Sequence, residues 1–473
     1  MTLPHDLGAM RLAAAVRARE LSPVEITDHF LERIDRVNPQ VGAYVTVTAE
    51  SAREQARAAE KRVAAASDPA ALPPLLGVPV PVKDLNAVNG VRLTLGSKVF
   101  HDRIARTDDN VVVRLREAGS VLPGKTQTPE FGLPSYSENG VAPPARTPWD
   151  LGRSAGGSSG GAAAAVAAGL APAAQGSDGG GSIRIPSSAC GLFGIKPTRG
   201  RVSQGPVGAD LFGLSTSGPI ARSVRDAALL LDVMAGPAPG DLYAAPPPDG
   251  TFLSHAERPP GRLRIARSIE PNADGVEVHP DCAAAYEEAS ALLEELGHEV
   301  VDVPSFFGAA LVPHFELLWG VMATLTEVPE GREHLLQPLT RWLRERGRAV
   351  TATEVLRAHA SMQAVLRKAF PVMNGFDAIL HPTLAQPPVP VGYFHDQEPI
   401  ENFERQTRFT PFCAAYNISG QPAVNVPLHW TADGLPIGVM LAGRLGGEGT
   451  LISLSAQLEE ARPWIDRRPP LWD

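Results

Sequence analysis

The chain has 473 residues and a formal net charge of −9, because 43 lysines and arginines stand against 52 aspartates and glutamates. Hydrophobic residues make up 44% of the chain and charged residues 20%, a balance typical of a soluble globular enzyme rather than of a disordered or fibrous protein. The acidic balance argues against a nucleic-acid-binding surface, since phosphate contacts need clustered Lys and Arg. Three dispersed cysteines offer neither a disulfide framework nor a zinc site.

No uninterrupted apolar run approaches the roughly 20 residues that span a bilayer. Residues 1–19 do not read as a secretory signal, because Asp6, Arg11 and Arg17 interrupt the apolar stretch. We therefore expect a cytoplasmic protein that acts on a small molecule, with no membrane, no nucleic acid, no metal and no other cofactor. A homodimer is left open.

The first third of the chain is predicted to begin with helices. Ser22, Pro23 and Glu25 are an N-cap, an N1 proline and a capping-box glutamate in order. Further elements are predicted as helices over residues 49–66 and 109–119, and as strands over residues 75–82 and 120–122.

From residue 152 to residue 200 glycine, serine and alanine dominate, with an alanine-rich helix predicted over residues 161–168. The proline-rich segment 236–261 is predicted to cross the surface. Beyond it, a strand–helix–strand pattern covers residues 263–303, strands are predicted over 378–380, 423–427 and 437–441, and a helix over 450–461. Strands and helices alternate without a clear second core, which favours one α/β domain.

Two short motifs are deceptive. Residues 119–126 (Gly-Ser-Val-Leu-Pro-Gly-Lys-Thr) fit the P-loop expression, but the interior of the motif is an apolar strand and Pro129 follows where a helix should run. Residues 156–160 (Gly-Gly-Ser-Ser-Gly) fit the nucleophile elbow of α/β-hydrolases, yet no strand precedes the serine and no histidine can be placed beside it. A P-loop nucleotide-binding protein is kept as an alternative.

The longer glycine/serine segment carries a stronger signal. Ser158 and Ser182 are 24 residues apart (182 − 158), and the alanine-rich helix between them can bring their loops together. The glycines over residues 179–181 let several backbone N–H groups converge beside a hydroxyl, as an oxyanion hole requires. A merely flexible glycine loop is the alternative, although Pro186 and the apolar residues around it argue that the loop is held.

A serine nucleophile needs a base, and with no histidine indicated lysine is the next candidate. Lys83 ends a short apolar run, which would place it at the carboxyl end of a buried strand, where α/β sites form. There burial would favour the neutral amine. An ordinary strand-end lysine that reaches water is the competing interpretation.

Taken together, these segments closely resemble the amidase signature family. The matching stretches are residues 77–84 (Gly-Val-Pro-Val-Pro-Val-Lys-Asp), 124–131 (Gly-Lys-Thr-Gln-Thr-Pro-Glu-Phe), 152–186 and 190–203, with weaker echoes at 223–226 and 417–423. The resemblance covers nearly the whole chain. It implies a single α/β domain over residues 1–473, with a mixed, mostly parallel central sheet covered by helices on both faces. It also implies a catalytic core at about 70–230 and a variable substrate-pocket region at about 300–420.

Residue by residue, the resemblance implies a Ser-Ser-Lys triad in which Ser182 is the nucleophile, Ser158 the bridging serine and Lys83 the base. It further implies a cis peptide between Gly157 and Ser158. The family more often has threonine at the position of Gly179, which backbone oxyanion contacts should tolerate. The remaining implied roles are an oxyanion hole formed by the N–H groups of Gly179, Gly180, Gly181 and Ser182, and loop support from Asp178 and Arg184.

The resemblance implies hydrolysis of C–N bonds in hydrophobic amides, and its nearest branches act on anilides, oligoamides and carbamates or urethanes. The alternative branch is the glutamine-hydrolysing amidotransferase subunit, which typically has glutamine where this chain has Ile185. Aromatic residues between 306 and 342 are candidates for the pocket wall, although core packing would explain them equally well. The pocket candidates are Phe131, Tyr136, Ile185, Phe315, Trp319 and Tyr416.

Overall fold

The computed structural model describes residues 3–206, 208 and 211–472. Its strands are β1 (Tyr44–Val47), β2 (Val82–Lys83), β3 (Gly124–Thr126), β4 (Ala173–Asp178), β5 (Phe193–Lys196), β6 (Thr216–Ala221), β7 (Arg264–Arg267), β8 (Glu299–Asp302), β9 (Ala378–Pro382), β10 (Ala423–Trp430) and β11 (Pro436–Gly443). Its α-helices are α1 (Ala9–Arg17), α2 (Pro23–Val41), α3 (Ala49–Ala65), α4 (Asn110–Glu117), α5 (Gly160–Ala167), α6 (Arg184–Cys190), α7 (Val224–Met234), α8 (Phe252–His255), α9 (Pro280–Glu295), α10 (Val312–Leu325), α11 (Pro338–Ala349), α12 (Ala352–Met373), α13 (Pro399–Phe409), α14 (Ala414–Ile418) and α15 (Glu448–Ala461).

Eight strands form one mixed sheet in the order β4-β6-β5-β10-β11-β9-β7-β8. The α/β class and the mixed sheet flanked by helices are as expected. The expected mostly parallel pairing is wrong, because β7 pairs in parallel with β8 and β9 while the other five pairings are antiparallel. A parallel pair needs a long crossover such as α9 between β7 and β8, whereas β10 and β11 are joined by a short turn.

The central strand β11 shows how the sheet is covered on both faces. Alternate side chains of a strand point to opposite faces. Ile437 and Leu441 belong to a core that also contains residues of α7, α9 and α15. Met440 and Ala442 belong to a second core with residues of α12 and α13. Strands from residue 173 to residue 443 share this sheet, and we retain a single domain as our proposal.

Local signals in the sequence predicted the helix starts well. The hydroxyl of Ser22 accepts hydrogen bonds from the N–H groups of Val24 and Glu25, and the capping box predicted for α2 is formed. The apolar run at 75–82 contributes only β2 and an isolated bridge between Pro79 and Val121. The strand predicted at 120–122 is therefore wrong, and regular pairing begins two residues later, in β3.

A small sheet of order β1-β3-β2 holds the end of the apolar run against the large sheet. The N–H of Gln175 on β4 donates to the carbonyl of Pro81 (3.1 Å). The side-chain oxygen of Gln175 accepts a hydrogen bond from the N–H of Lys83 (2.9 Å). These two bonds tie the backbone of Lys83 to β4, the strand that leads into the glycine-rich loop.

Gly308–Leu325 is the single stretch in the described part of the chain that is long and apolar enough to match a membrane span by length and composition. It is 28% buried and contains Pro313 and Glu316. Trp319 and Leu318 of α10 lie in cores with residues of α11 and α12. Part of this apolar surface is thus packed inside the protein.

Helix α5 packs so closely on the chain around it that its second residue has no room for a side chain. A methyl group on Gly161 would lie 2.3 Å from the backbone nitrogen of Gln127 and 2.4 Å from the carbonyl oxygen of Ala43. We expect Gly161→Ala to lower the free energy of unfolding by about 1–3 kcal/mol, as overpacking does. Urea denaturation followed by circular dichroism measures this loss.

The matched control is Gly320→Ala, in the middle of helix α10. Its methyl group would meet its nearest neighbour at 3.4 Å, an ordinary contact. Since alanine favours a helix by about 0.5–1 kcal/mol over glycine, this variant should be unchanged or slightly stabilised. Equal losses in the two variants would contradict the close packing of α5.

Candidate active site

Lys83 lies at the end of β2 and is fully buried. Its Nζ donates hydrogen bonds to the hydroxyl of Ser158 (2.8 Å) and to the hydroxyl and carbonyl of Ser177 (3.0 and 3.3 Å). Burial lowers the pKa of Lys83 to about 7, and the carboxylate of Asp178 opposes that shift. Near neutral pH a large fraction of this amine is therefore uncharged and able to accept a proton.

Two other lysines are buried, so burial alone does not single out Lys83. Burial and the charge of Arg184 lower the pKa of Lys196 to about 7 as well, but its Nζ donates to the carbonyl of Pro197 (2.9 Å). Lys125 is paired with Asp84. The contact with a serine hydroxyl distinguishes Lys83.

The two glycine-rich loops meet, as their spacing predicted. The N–H of Ser159 donates to the carbonyl of Ser182 (3.1 Å), and the hydroxyl of Ser159 donates to the carbonyl of Ser177 (3.0 Å). The peptide between Gly157 and Ser158 is cis. The hydrogen bonds of Ser159 thus place its neighbour Ser158 beside the loop that carries Ser182.

Ser182 follows Gly179, Gly180 and Gly181 in the loop between β4 and α6, and only 6% of its surface is exposed. The N–H of Gly181 is not free, because it donates to the carboxylate of Asp178 (2.7 Å). Among the described residues, the N–H groups of Gly179, Gly180 and Ser182 have no hydrogen-bond acceptor. The N–H of Gly181 is therefore not available as an oxyanion donor, whereas those of Gly179, Gly180 and Ser182 remain candidates.

Asp178 and Arg184 brace this loop. Both are fully buried, and Nε and Nη2 of Arg184 donate to the two carboxylate oxygens of Asp178 (3.0 and 2.9 Å). The N–H of Ile183 donates to the same carboxylate (3.0 Å). Although burial raises the pKa of Asp178, the Arg184 guanidinium and its hydrogen bonds outweigh that effect and hold the pKa below its usual range.

Sequence reasoning missed three residues that hold the site together. Asn417 donates to the carbonyl and carboxylate of Asp178 (3.0 and 2.9 Å) and accepts from Arg184 (2.7 Å). Ser177 contacts the Lys83 amine, and Gln175 holds the backbone of Lys83. The segment 417–423 did show a weak resemblance to the family. It is more than two hundred residues away from the serine loop along the chain, so the sequence gave no reason to place Asn417 beside that loop.

Ser182 opens onto a cleft with an empty volume of about 790 Å³, including its open mouth. Of the predicted pocket residues, Ile185, Phe315 and Trp319 line this cleft. The rings of Phe315 and Trp319 stack with centroids 5.0 Å apart. They stand directly over the loop, since a methyl group on Gly180 would lie 3.1 Å from Phe315 Cζ.

The other three predicted pocket residues lie outside the lining of the cleft. Phe131 packs beside Phe100, with ring centroids 6.1 Å apart. Tyr136 is buried and stacks on Phe394 at 5.2 Å. Tyr416 is fully buried, and its hydroxyl is 2.7 Å from a ring nitrogen of His381. Their hydrophobic bodies are needed in the core, so aromatic character alone did not mark the pocket.

The P-loop alternative is wrong. The Nζ of Lys125 donates to the carboxylate of Asp84 (3.0 Å) and to the carbonyl of Asn86 (2.7 Å), and the lysine is 1% exposed. Residues 124–126 form β3 rather than a turn that opens a helix, which a phosphate-binding loop requires. The motif therefore reflects a buried structural ion pair.

Within the described ranges, no group of three or more histidine, cysteine, aspartate or glutamate side chains lies close enough to hold a metal ion. The nucleophile-elbow interpretation also finds no support, since Ser158 accepts its hydrogen bond from Lys83. The site instead brings together four kinds of group: the buried amine of Lys83, the hydroxyl of Ser158, Ser182 on the adjoining loop, and backbone N–H groups without acceptors. Hydroxyl groups beside a buried amine and free amide N–H groups are the kinds of group that hydrolysis through a serine requires.

Comparison with known proteins identifies the family of this chain. Residues 25–452 match the Amidase family. The chain is 35% identical to the acylamidase of Rhodococcus erythropolis over 98% of this chain and 97% of that protein. It is 36% identical to the 6-aminohexanoate-cyclic-dimer hydrolase of Paenarthrobacter ureafaciens over 97% and 95%. A solved structure of 6-aminohexanoate cyclic dimer hydrolase complexed with substrate superimposes with a TM-score of 0.91 and 32% identity, covering 100% of both chains.

The chain belongs to the amidase signature family and is an amide-hydrolysing enzyme.

The contribution of the Asp178–Arg184 ion pair to the serine loop can be tested by removing one of the two charges. Asp178→Asn keeps the shape of the side chain but leaves the buried guanidinium of Arg184 without its counter-charge. Breaking a buried ion pair in this way costs about 3–5 kcal/mol. We expect a loss of this size in the free energy of unfolding, measured by urea denaturation.

Asp150→Asn serves as the control, because Asp150 pairs with Arg153 at the surface and its side chain is 48% exposed. A surface ion pair contributes about 1 kcal/mol or less. A loss for Asp178→Asn no larger than for Asp150→Asn would show that the buried pair does not brace the loop.

Proposed function

We propose that this amidase works through an acyl-enzyme on Ser182, with Ser158 as the bridging serine and Lys83 as the base. The observation that carries the proposal is the 2.8 Å contact between the buried Lys83 amine and the Ser158 hydroxyl. A lysine can act as a base at neutral pH only if its pKa is lowered, and burial lowers the pKa of Lys83 to about 7.

In the proposed first half-reaction, neutral Lys83 takes the proton of Ser158 while Ser158 takes that of Ser182. The Ser182 oxygen attacks the amide carbonyl, and the N–H groups of Gly179, Gly180 and Ser182 stabilise the oxyanion. The proton returns through Ser158 to the leaving nitrogen as the C–N bond breaks. Water then attacks the acyl-enzyme by the same relay and releases the acid, so that one water is consumed for each amide cleaved.

We propose hydrophobic amides as substrates, including anilides and oligoamides, and extend the proposal to carbamates. Stacked Phe315 and Trp319, with Ile185, give the cleft an apolar wall beside Ser182. The names of the relatives, an acylamidase and a cyclic-dimer hydrolase, point to the same substrate class. The alternative, an amidotransferase subunit that hydrolyses glutamine, would favour a more polar surface where Ile185 stands.

We further propose that the enzyme acts in the cytoplasm as a monomer or homodimer, without nucleic acid or a membrane. The three cysteines are buried and free, which is compatible with a reducing compartment.

The proposed nucleophile and substrate class are tested together. The purified chain should hydrolyse aliphatic p-nitroanilides and release no ammonia from glutamine. Ser182→Ala should lower kcat/KM for the anilide by about four orders of magnitude or more. A fluorophosphonate probe followed by peptide mass spectrometry should label Ser182.

Ser187→Ala is the matched control, since this buried serine lies five residues after Ser182, inside α6. It should keep both turnover and labelling of Ser182. Probe label on a different serine would contradict the assignment of the nucleophile, and ammonia release from glutamine without anilide hydrolysis would favour the amidotransferase alternative.

The role of Lys83 predicts a pH dependence. The neutral amine is the active form, so kcat/KM should rise with pH up to the pKa of Lys83, about 7, and level off above it. Lys83→Ala should lower kcat/KM by about 10²–10⁴-fold while the circular dichroism spectrum is unchanged.

Lys98→Ala removes an exposed lysine and should leave the pH profile as it is. An unchanged acid limb in Lys83→Ala, together with near-normal turnover, would show that another group is the base.

A further inference from the structure

Helix α10 presents one face to the cleft that contains Ser182. Val312 lies three residues before Phe315 and four before Glu316, and Trp319 lies four and three residues after them. All four line the cleft. The aromatic pair stands over the glycine loop, while Glu316 is the next residue after Phe315 on the same face. A carboxylate is thus placed in the same apolar space as the proposed nucleophile.

Glu316 is the only ionisable side chain among the described residues that line the cleft. It is half-buried, and its carboxylate makes no hydrogen bond and no ion pair with any described residue. Burial raises its pKa, Arg346 opposes that shift and Glu404 adds to it. Arg346 does not cap the carboxylate, since its guanidinium lies over the ring of Trp342 (4.6 Å).

Two other polar side chains of the cleft wall, Gln406 and Thr407, already have partners. The side-chain oxygen of Gln406 accepts from the N–H of Ser135 (2.7 Å), and its amide nitrogen donates to Asn402 (2.6 Å). The hydroxyl of Thr407 donates to the carbonyl of Phe403 (3.2 Å). These groups shape the wall, whereas the carboxylate of Glu316 is available to a ligand.

We propose that Glu316 is a specificity-determining residue that binds a cationic amine carried by the substrate, remote from the scissile amide. An unpaired carboxylate in an apolar cleft is costly, and an ammonium group that pairs with it recovers that cost. The rings of Phe315 and Trp319 beside it suit both an apolar chain and a cation. The preferred substrates are then amides in which an apolar chain ends in an ammonium group, a refinement that rests on the proposed amidase function.

The test compares substrates that differ only in the terminal charge. One series pairs ω-aminoalkanoyl p-nitroanilides with alkanoyl p-nitroanilides of equal chain length, and a second series places the ammonium group on the leaving amine. At the best chain length in one of the series, the charged substrate should have a kcat/KM about tenfold above that of its neutral partner. The ratio of the two values cancels any general effect of a substitution on catalysis.

Glu316→Gln should bring this ratio close to one, and Glu316→Lys should invert it in favour of the neutral substrate. Glu404→Gln is the matched control: it removes the same charge from a nearby carboxylate that does not line the cleft and that pairs with Arg408 (3.0 Å). Its ratio should stay within about twofold of that of the unsubstituted enzyme, since an exposed charge is largely screened.

Ratios near one in the unsubstituted enzyme for both series, or ratios that Glu316→Gln leaves unchanged, would overturn the inference. This failure is distinguishable from failure of the proposed function. Hydrolysis of the neutral p-nitroanilide that is lost in Ser182→Ala would still support the amidase mechanism, whereas absence of all hydrolysis would count against that mechanism.

Discussion

The mechanism proposed for this protein depends on one amine that is kept away from water. Lys83 is fully buried, and in that position its ammonium form loses hydration that the hydrogen bonds to Ser158 and Ser177 only partly replace. Because the charged form is penalised, the neutral form is populated near pH 7. The neutral amine can accept a proton, as the proposed mechanism requires, and it contacts the hydroxyl of Ser158 at 2.8 Å.

In the same buried environment, the carboxylate of Asp178 has two opposing effects on the site. A negative charge near Lys83 favours the ammonium form and works against its proposed role as a base. Yet the loop needs that carboxylate, which accepts hydrogen bonds from the N–H groups of Gly181 and Ile183. Arg184 resolves the conflict: its guanidinium forms two hydrogen bonds with Asp178, so that most of the negative charge is balanced locally. The ion pair therefore organises the serine loop and limits the field at Lys83.

Features of the fold and of the site could be predicted from the sequence where neighbouring residues determine them. The capping box at Ser22 is a local signal and was predicted, as were the strands over residues 423–427 and 437–441. Lys83, Ser158 and Ser182 were chosen as candidates because short, unusual motifs surround them. The pairing of the strands was not predicted correctly. For example, β5 pairs with β10, which lies more than two hundred residues further along the chain, and no local sequence pattern indicates that pairing. For the same reason Asn417 was missed, and Tyr416 was expected at the cleft although its hydroxyl belongs to a buried contact with His381.

The groups proposed for catalysis and the wall of the cleft come from different parts of the chain. The amine, the two serines and the amide donors come from residues 83–182, which the small sheet, β4 and α5 hold in place. The wall opposite Ser182 comes from α10 and α13, which contribute Phe315, Glu316 and Phe403. Substitutions on the cleft face of α10 leave the hydrogen bonds of Lys83 and Asp178 untouched, because those bonds involve no α10 side chain. Under the proposed mechanism, substitutions on this face of α10 can therefore change which amide is accepted without altering the groups that cleave it. The unpaired carboxylate of Glu316 on that face is the proposed determinant of such selectivity.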